Sequence, residues 1–243
     1  MKPLLQQPIP LGIGYYSVAD AARLLRRPAR VIRRWMGGHT YFLSGEKRTV
    51  PPLWSPQLPT NDNHIELGFR DLIEMRFVAA FVDQGLALHT IRVCLDTARE
   101  VVGQEHPFST GRFKTDGKRI FVETVHRLEI GQAGTSSLAE AELLDLKSRQ
   151  YTFPAIIQRT FRDLDIEADA VARWRPFNGK ASIVLDPARA FGQPILADFG
   201  IPTAAISGAL SAEGDAMRVA FLYDVPVGLV RDAARFENEL AAA

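Results

Sequence analysis

The sequence predicts a mainly α protein of the α+β class, and three observations lead to that prediction. Residues 16–35 carry apolar side chains at helical spacing on both sides of a tight turn. Residues 67–103 contain two longer helical patterns separated by Gly85. The C-terminal part begins with a short extended run and continues with three helical stretches, at residues 203–210, 215–223 and 226–240.

The N-terminal stretch is predicted to form two short helices. In the first, four apolar residues share one arc of about 100° on a 3.6-residue helix: Val18, Ala21, Ala22 and Leu25. Ser17 can cap its N-terminus, and Asp20 suits the positive end of the helix dipole. Pro28 favours the start of the second helix, because it fixes φ and has no N–H to leave unpaired.

The second helix is predicted to be apolar on one side and basic on the other. Val31, Ile32 and Trp35 share one arc, so we expect Trp35 to be structural. The opposite arc carries Arg30, Arg33 and Arg34. Such a helix, following a tight turn, is typical of a helix-turn-helix whose second helix enters a DNA major groove. The alternative is an ordinary helical hairpin with a solvated basic face.

Positive charge is concentrated in the same part of the chain. Residues 1–60 hold nine Lys and Arg against two Asp and Glu, a net charge of +7. The net charge is −2 over residues 61–130 (nine against eleven) and −4 over residues 131–243 (eleven against fifteen). A surface that faces phosphate needs a local excess of this kind. Seven residues are therefore candidate DNA contacts: Arg26, Arg27, Arg30, Arg33, Arg34, Lys47 and Arg48.

A short hairpin is expected after the basic helix. Residues 41–43 and 49–50 read as its strands, joined through Ser44-Gly45-Glu46-Lys47-Arg48. In a winged helix this hairpin is the wing, and Lys47 and Arg48 near its tip could contact phosphate. The alternative is a solvated turn, since loops commonly gather glycine and charge.

These residues resemble the start of a MerR-type winged helix-turn-helix, through Tyr16-Ser17-Val18, Ala22 to Leu25 and Ile32-Arg33-Arg34-Trp35. The similarity continues through residues 70–74 and 85–92, so it covers about residues 15–103. Arg26 and Pro28 replace the family's turn glycine and its capping Ser or Thr. The resemblance implies a DNA-binding domain. The family's long dimerisation helix and sensor are missing, because the last helix stops at Gly103.

The middle of the chain is predicted to be a small α+β connector. Asp116-Gly117 is a hairpin turn signal, so a hairpin is expected over residues 109–125. Helices are expected at 137–149 and 154–164, followed by extended chain near Trp174. The predicted domains are residues 1–104, 105–178 and 179–243.

The C-terminal helices repeat the first pair at an offset of 198 residues. Ala22, Leu25, Pro28, Val31 and Ile32 correspond to Ala220, Tyr223, Pro226, Leu229 and Val230. A second helix-turn-helix is therefore predicted. Its surface differs, because the three arginines of the first unit correspond to Gly228, Arg231 and Asp232. We expect this unit to contact protein and not DNA, through Val227, Val230, Arg231, Phe236 and Leu240.

The segment before these helices is similar to a family called domain of unknown function 433. The matching motifs are Asp186-Pro187, Gly192-Gln193-Pro194 and Gly200-Ile201-Pro202, although the residues before Gly200 depart from the family's pattern. Proteins of that family are regarded as antitoxins, often encoded beside a PIN-type ribonuclease toxin. A VapB-like subgroup resembles this chain in carrying a basic helix-turn-helix ahead of such a domain.

No residue pattern typical of an enzyme, cofactor or metal site emerges. Gly12-Ile13-Gly14 lacks the third glycine of a dinucleotide loop, and residues 131–137 lack the lysine of a phosphate loop. Residues 163–169 resemble the start of a calcium loop but lack its glycine and final glutamate, so a solvated acidic edge is expected. The five histidines have no ligand spacing, and Cys94 is expected to be a buried thiol.

These observations predict a cytoplasmic, DNA-binding antitoxin of a type II toxin-antitoxin system. It would repress its own operon, bind a PIN-type toxin and form a homodimer. The N-terminus lacks the apolar core of a signal peptide, a single cysteine suits a reducing compartment, and no membrane partner is expected. The alternatives are a stand-alone MerR-like regulator that responds to a small ligand and a protein adaptor that does not touch DNA.

Overall fold

A computed structural model describes residues 12–59, 65–131 and 140–242. The ten helices in these ranges are α1 Val18–Leu25, α2 Ala29–Gly37, α3 Phe69–Asp83, α4 Leu88–Val102, α5 Gly111–Gly131, α6 Glu140–Ser148, α7 Phe153–Phe161, α8 Thr203–Glu213, α9 Ala216–Tyr223 and α10 Val227–Ala241. The predictions about the N-terminal eleven residues, residues 132–137 and His64 lie outside the described residues.

The same described ranges contain eight short strands. They are β1 Tyr16–Ser17, β2 His39–Leu43, β3 Glu46–Val50, β4 Glu66–Leu67, β5 Leu164–Glu167, β6 Ala170–Trp174, β7 Ile183–Leu185 and β8 Pro194–Leu196. β1 pairs with β4, β2 forms a hairpin with β3, and the last four strands form an antiparallel sheet in sequence order. The predicted mainly α, α+β class is confirmed. No helix within the described ranges is long and apolar enough to cross a membrane.

The predicted hairpin at Asp116-Gly117 is wrong. Both residues lie inside α5, a single helix of 21 residues. Its buried side chains recur at helical spacing: Phe113, Ile120, Phe121 and Val125. Gly117 faces α7, and a Cβ at this position would collide with the side chain of Ile157. The glycine therefore permits close packing of two helices and does not mark a turn.

One hydrophobic core extends from Tyr16 in β1 to Leu185 in β7. Phe77 of α3 lies within it, with its ring centroid 5.9 Å from that of Phe108 and 4.8 Å from that of Phe161. Residues of the predicted connector thus pack in the same core as the N-terminal helices, and the expected boundary at residue 104 does not separate two cores. A second core lies among α8, α9 and α10, around Ile206, Val219 and Val230.

Two carboxylates of α3 are fully buried and organise the chain around this helix. Asp71 accepts hydrogen bonds from the indole Nε1 of Trp54 (2.8 Å) and from the backbone N–H of Gln57 (3.0 Å), and His106 Nε2 lies 3.0 Å from it. Glu74 accepts a 2.8 Å hydrogen bond from the backbone N–H of Ser109 through one oxygen only. Burial raises the pKa of Glu74 to about 8.

The helix pairs α1–α2 and α9–α10 share one turn geometry. Arg26 and Asp224 both adopt the left-handed conformation, with φ 52° and ψ 48°. Pro28 and Pro226 occupy the N-cap position immediately before the second helix of each pair, with φ of −56° and −57°. These two pairs of residues are 198 positions apart, the offset that the sequence repeat predicts. The structural repeat therefore includes the turn, although neither turn contains a glycine.

Candidate nucleic-acid interface

The helix pair α1–α2 is called the basic pair below, and the N-terminus of its first helix is capped by residues of the same segment. Ser17 Oγ accepts from the backbone N–H of Asp20 (3.1 Å), and Asp20 accepts in return from the backbone N–H of Ser17 (3.0 Å). This capping box satisfies N–H groups that the first turn leaves free. Val18 and Ala21 are buried, so α1 presents its apolar side to the core.

The second helix, α2, presents its charged side to solvent. Ile32, Trp35 and Met36 are buried, so Trp35 lies on the apolar side of α2 with Ile32, as the shared arc predicts. The Trp35 carbonyl also accepts a 2.8 Å hydrogen bond from the backbone N–H of Leu53. The three predicted contact residues lie on the exposed side of this helix: Arg30, Arg33 and Arg34.

The three exposed arginines differ in what they contact. Among the residues that the structure describes, Arg30 and Arg33 form no ion pair and no side-chain hydrogen bond, so their charges are available to a ligand. Arg34 Nη2 lies 2.8 Å from His39 Nε2 at the start of β2. This contact links α2 to the hairpin and fixes the direction of one of the three guanidinium groups.

The other two predicted contact residues of this segment, Arg26 and Arg27, are engaged within the chain. Arg26 lies 3.2 Å from the carboxylate of Glu239 in α10, and Arg27 forms an ion pair with Asp83 at the end of α3. Arg27 is also only partly exposed. Local sequence gives no signal for these partners, since they come from helices distant in the chain. Their intramolecular pairing makes Arg26 and Arg27 weaker candidates than Arg30 and Arg33.

A hairpin is present at the predicted place and is solvent-exposed along both strands, but the predicted five-residue connection is wrong, because Glu46, Lys47 and Arg48 belong to β3. Ser44 and Gly45 form its two-residue turn with φ of 52° and 83°. Lys47 has no ion-pair partner within the described part of the chain, whereas Arg48 lies 3.7 Å from Glu46. Phe42 pairs with Lys47 across the strands, and its side chain is 73% exposed. The sequence predicts a strand at this position but does not predict that its phenylalanine faces solvent.

Two of the five predicted protein-contact residues cannot reach a partner in this fold. Val230 is 0% exposed in the C-terminal core, and Phe236 is 3% exposed with its ring centroid 5.8 Å from that of Phe177. The prediction for these two is corrected, because this chain's own core covers them. Leu240 is half-buried against the cluster of Phe177, Ile183 and Phe236, Val227 is half-buried and Arg231 is exposed.

The exposed apolar residues of this region lie instead on α9. Met217 is 65%, Phe221 86% and Leu222 57% exposed. Their neighbours Val219 and Ala220 face the core, as the repeat with α1 predicts for Ala220. The repeat predicts which side of α9 packs inwards, but it does not predict large apolar side chains on the outward side.

The acidic residues considered as a calcium loop are engaged with arginines. Asp165 pairs with Arg175, and Glu167 lies 2.7 Å from Arg173. Within the described residues no group of three or more His, Cys, Asp or Glu side chains is arranged to hold a metal ion. Cys94 is buried, as expected, and burial raises the pKa of its thiol to about 12.

The basic pair is joined to the C-terminal segment by directed contacts. The hydroxyl of Tyr16 donates a 2.8 Å hydrogen bond to the carbonyl of Gly192, and the backbone N–H of Tyr15 donates to the carbonyl of Phe191 at 2.9 Å. Gly192 has a φ of 81°, and a Cβ there would collide with the Tyr16 hydroxyl. This contact therefore requires glycine at position 192, within one of the C-terminal sequence motifs.

Comparison with known proteins gives a relative and a structural neighbour that each span almost the whole chain. No family model matches. A Mycobacterium tuberculosis (strain ATCC 25618 / H37Rv) protein named "Putative antitoxin VapB45" is 28% identical over 225 residues, which are 91% of this chain and 92% of the relative. The X-ray crystal structure of Rv2018 from Mycobacterium tuberculosis superposes with a TM-score of 0.69 and 25% identity, covering 93% of this chain and 99% of that one. The chain is therefore similar over nearly its whole length to a protein named as an antitoxin and to a solved structure from the same organism.

Proposed function

We propose that this chain is a DNA-binding antitoxin of a type II toxin-antitoxin system, which represses its own operon and binds a PIN-type ribonuclease toxin. The observation that carries the DNA-binding part is the pair Arg30 and Arg33. Both lie on the exposed side of a helix whose opposite side is buried, and neither has an ion-pair partner among the described residues. Two unneutralised guanidinium groups on one helix face are typical of phosphate or base contact.

The hairpin β2–β3 extends the proposed interface. It begins at His39, which contacts Arg34 of α2, so the hairpin and the basic helix are held together. Lys47 and Arg48 lie next to its exposed turn and would reach backbone phosphates while α2 enters the major groove. In this proposal α1–α2 is a helix-turn-helix and the hairpin is its wing.

The relative's name supports the antitoxin part, and the similarity to it spans nearly all of this chain. We propose that the C-terminal segment serves protein contacts, with a toxin partner and a cytoplasmic location. The chain would act as a homodimer, because a two-fold axis would place two α2 helices on successive half-sites.

The operator test uses duplex DNA from immediately upstream of the chain's own gene, with a scrambled duplex of equal length as competitor. We expect preference for the upstream duplex and a marked weakening of that preference in the variant Arg30→Ala/Arg33→Ala, because each base contact contributes about 1–3 kcal/mol. Arg231→Ala is the matched control, since Arg231 occupies the position of Arg33 in the second helix pair. Equal affinity of the wild type for both duplexes would contradict operator repression.

A second candidate is a regulator that responds to a small ligand. One observation favours it: a cleft of about 350 Å³ lies between α1, α8 and α10, lined by Tyr15, Asp20, Leu24, Thr203 and Glu237 among others. A ligand in this cleft would touch both helix pairs. Release of bound DNA by a small molecule without any partner protein would favour this candidate over the antitoxin.

A further inference from the structure

The outward face of α9 carries a patch of three large apolar side chains that the chain's own core does not cover. This α9 patch consists of Met217, Phe221 and Leu222. Met217 and Phe221 are four residues apart and lie on one side of the helix, whereas Leu222 lies about 100° around the helix from Phe221. Together they expose apolar surface on the order of 400 Å², which reaches the size at which an exposed patch marks an interaction site.

Comparison of the two helix pairs shows that large apolar side chains occur at these exposed positions in the second pair and not in the first. At the offset of 198, Met217 and Phe221 correspond to Ala19 and Arg23 of α1, which are exposed and small or charged. The same fold therefore tolerates residues compatible with water at these positions, and the second pair places large apolar side chains there instead.

Leu222 gives the same contrast in its surroundings. It corresponds to Leu24, which is partly buried because it packs against the cluster of Phe177, Ile183 and Phe236 in the C-terminal segment. The equivalent side of the first pair is thus covered by α10, whereas Leu222 remains 57% exposed. A helix of another molecule could cover it in the way that α10 covers Leu24.

The arginine beside the patch has an acidic partner within the chain. Arg218 lies 2.9 Å from Glu213, so this cation is already neutralised within the chain. Asp215 caps α9 by accepting a 2.8 Å hydrogen bond from the backbone N–H of Met217. A symmetric contact through the patch would therefore not bring an unpaired arginine against its own copy.

We infer that the α9 patch is a self-association surface, on which a second copy of this chain docks so that the two α9 helices pack around a two-fold axis. If both patches were fully covered, the contact would bury on the order of 800 Å², about half of a standard interface of roughly 1,600 Å². The inference rests in part on the proposed function, which calls for two copies of α2.

The first test is the mass of the full-length chain in solution over a wide range of concentrations, by sedimentation equilibrium. The wild type is expected to be a dimer, and Phe221→Asp is expected to weaken association about 30-fold or more. Phe42→Asp is the matched control, because Phe42 is comparably exposed but lies on the hairpin. Far-ultraviolet circular dichroism checks the fold of both variants.

Cross-linking tests the two-fold geometry directly. Phe221→Cys treated with a short bis-maleimide is expected to give a covalent dimer, whereas Phe42→Cys is not. The native Cys94 does not interfere, since it is buried. The inference is overturned if the wild type is monomeric throughout, or if Phe221→Asp keeps the mass of the wild type. Loss of a co-purifying toxin from Phe221→Asp at unchanged mass would overturn it too, and would assign the patch to that toxin.

The same proteins separate this inference from the proposed function. A wild type that dimerises through the patch but binds neither upstream nor scrambled DNA would contradict the DNA-binding proposal and leave the self-association surface intact. A wild type that binds upstream DNA but whose mass does not depend on Phe221 would contradict the self-association surface and leave the DNA-binding proposal intact.

Discussion

Replacing Glu74 by glutamine should remove a pH dependence of stability that its buried carboxyl creates. Glu74 is fully buried in α3, and its second oxygen has no hydrogen-bond partner, so ionisation inside the fold is costly. Its pKa is therefore raised from 4.5 to about 8 in the folded state. Between these pH values the folded chain holds a proton that the unfolded chain has released.

The sign and size of the change in the free energy of unfolding with pH follow from proton linkage. Because the folded pKa is the higher one, the free energy of unfolding is greatest below about pH 4.5 and falls as the pH rises towards 8. A difference of this size corresponds to a loss on the order of 4 kcal/mol across that window. Glutamine resembles the protonated form, so Glu74→Gln should match the wild type near pH 5 and be more stable than it near pH 8.

The assay is urea unfolding followed by tryptophan fluorescence at several pH values between 5 and 8. Every other ionisable group is common to both proteins, so the difference in the free energy of unfolding between wild type and variant isolates Glu74. Glu100→Gln is the matched control, because Glu100 is exposed on α4 and the Arg127 guanidinium holds its pKa below the ordinary value. If the free energies of unfolding of the wild type and of Glu74→Gln changed with pH in parallel, Glu74 would not be the source of the pH dependence.

Two further substitutions test the packing of the helices. Trp35→Ala should lower the free energy of unfolding by roughly 3–5 kcal/mol, because the ring is buried beneath α2. A variant that unfolds at the same urea concentration as the wild type would contradict a structural role for Trp35. Gly117→Ala should cost about 1–3 kcal/mol, since its Cβ would collide with Ile157, whereas Gly208→Ala in α8 meets open space and should be neutral or stabilising. Equal effects of the two alanines, measured in the same urea titration, would contradict the close approach of α5 and α7.

Local sequence predicted the elements whose causes are local. Ser17 and Asp20 cap α1 through bonds between residues three apart, and Pro28, whose ring fixes φ, immediately precedes α2. The repeat at an offset of 198 could be predicted because it depends on spacing, and both turns form without glycine since Arg26 and Asp224 adopt the left-handed conformation.

The errors arose where distant residues decide the structure. Asp116-Gly117 has the composition of a turn, but helix packing against Ile157 determines the role of Gly117. Phe236 appeared to be surplus on α10, because its partner Phe177 comes from a separate segment. Arg27 lies in the basic run yet pairs with Asp83, which only the fold brings near. The spacing of apolar residues along a helix predicts which side is apolar, but it does not predict which other segment covers that side.

The salt dependence of DNA binding tests the central proposal most directly. Removing one arginine that binds a phosphate should reduce the slope of the logarithm of the association constant against the logarithm of salt concentration by about 0.9. If Arg30 and Arg33 both bind phosphate, Arg30→Ala/Arg33→Ala should reduce the slope by about 2, whereas removing an arginine that binds a base would lower affinity with less change in slope. Arg231→Ala should leave affinity and slope unchanged. A double variant that binds like the wild type, with the same slope, would contradict the assignment of α2 as the DNA-contacting helix.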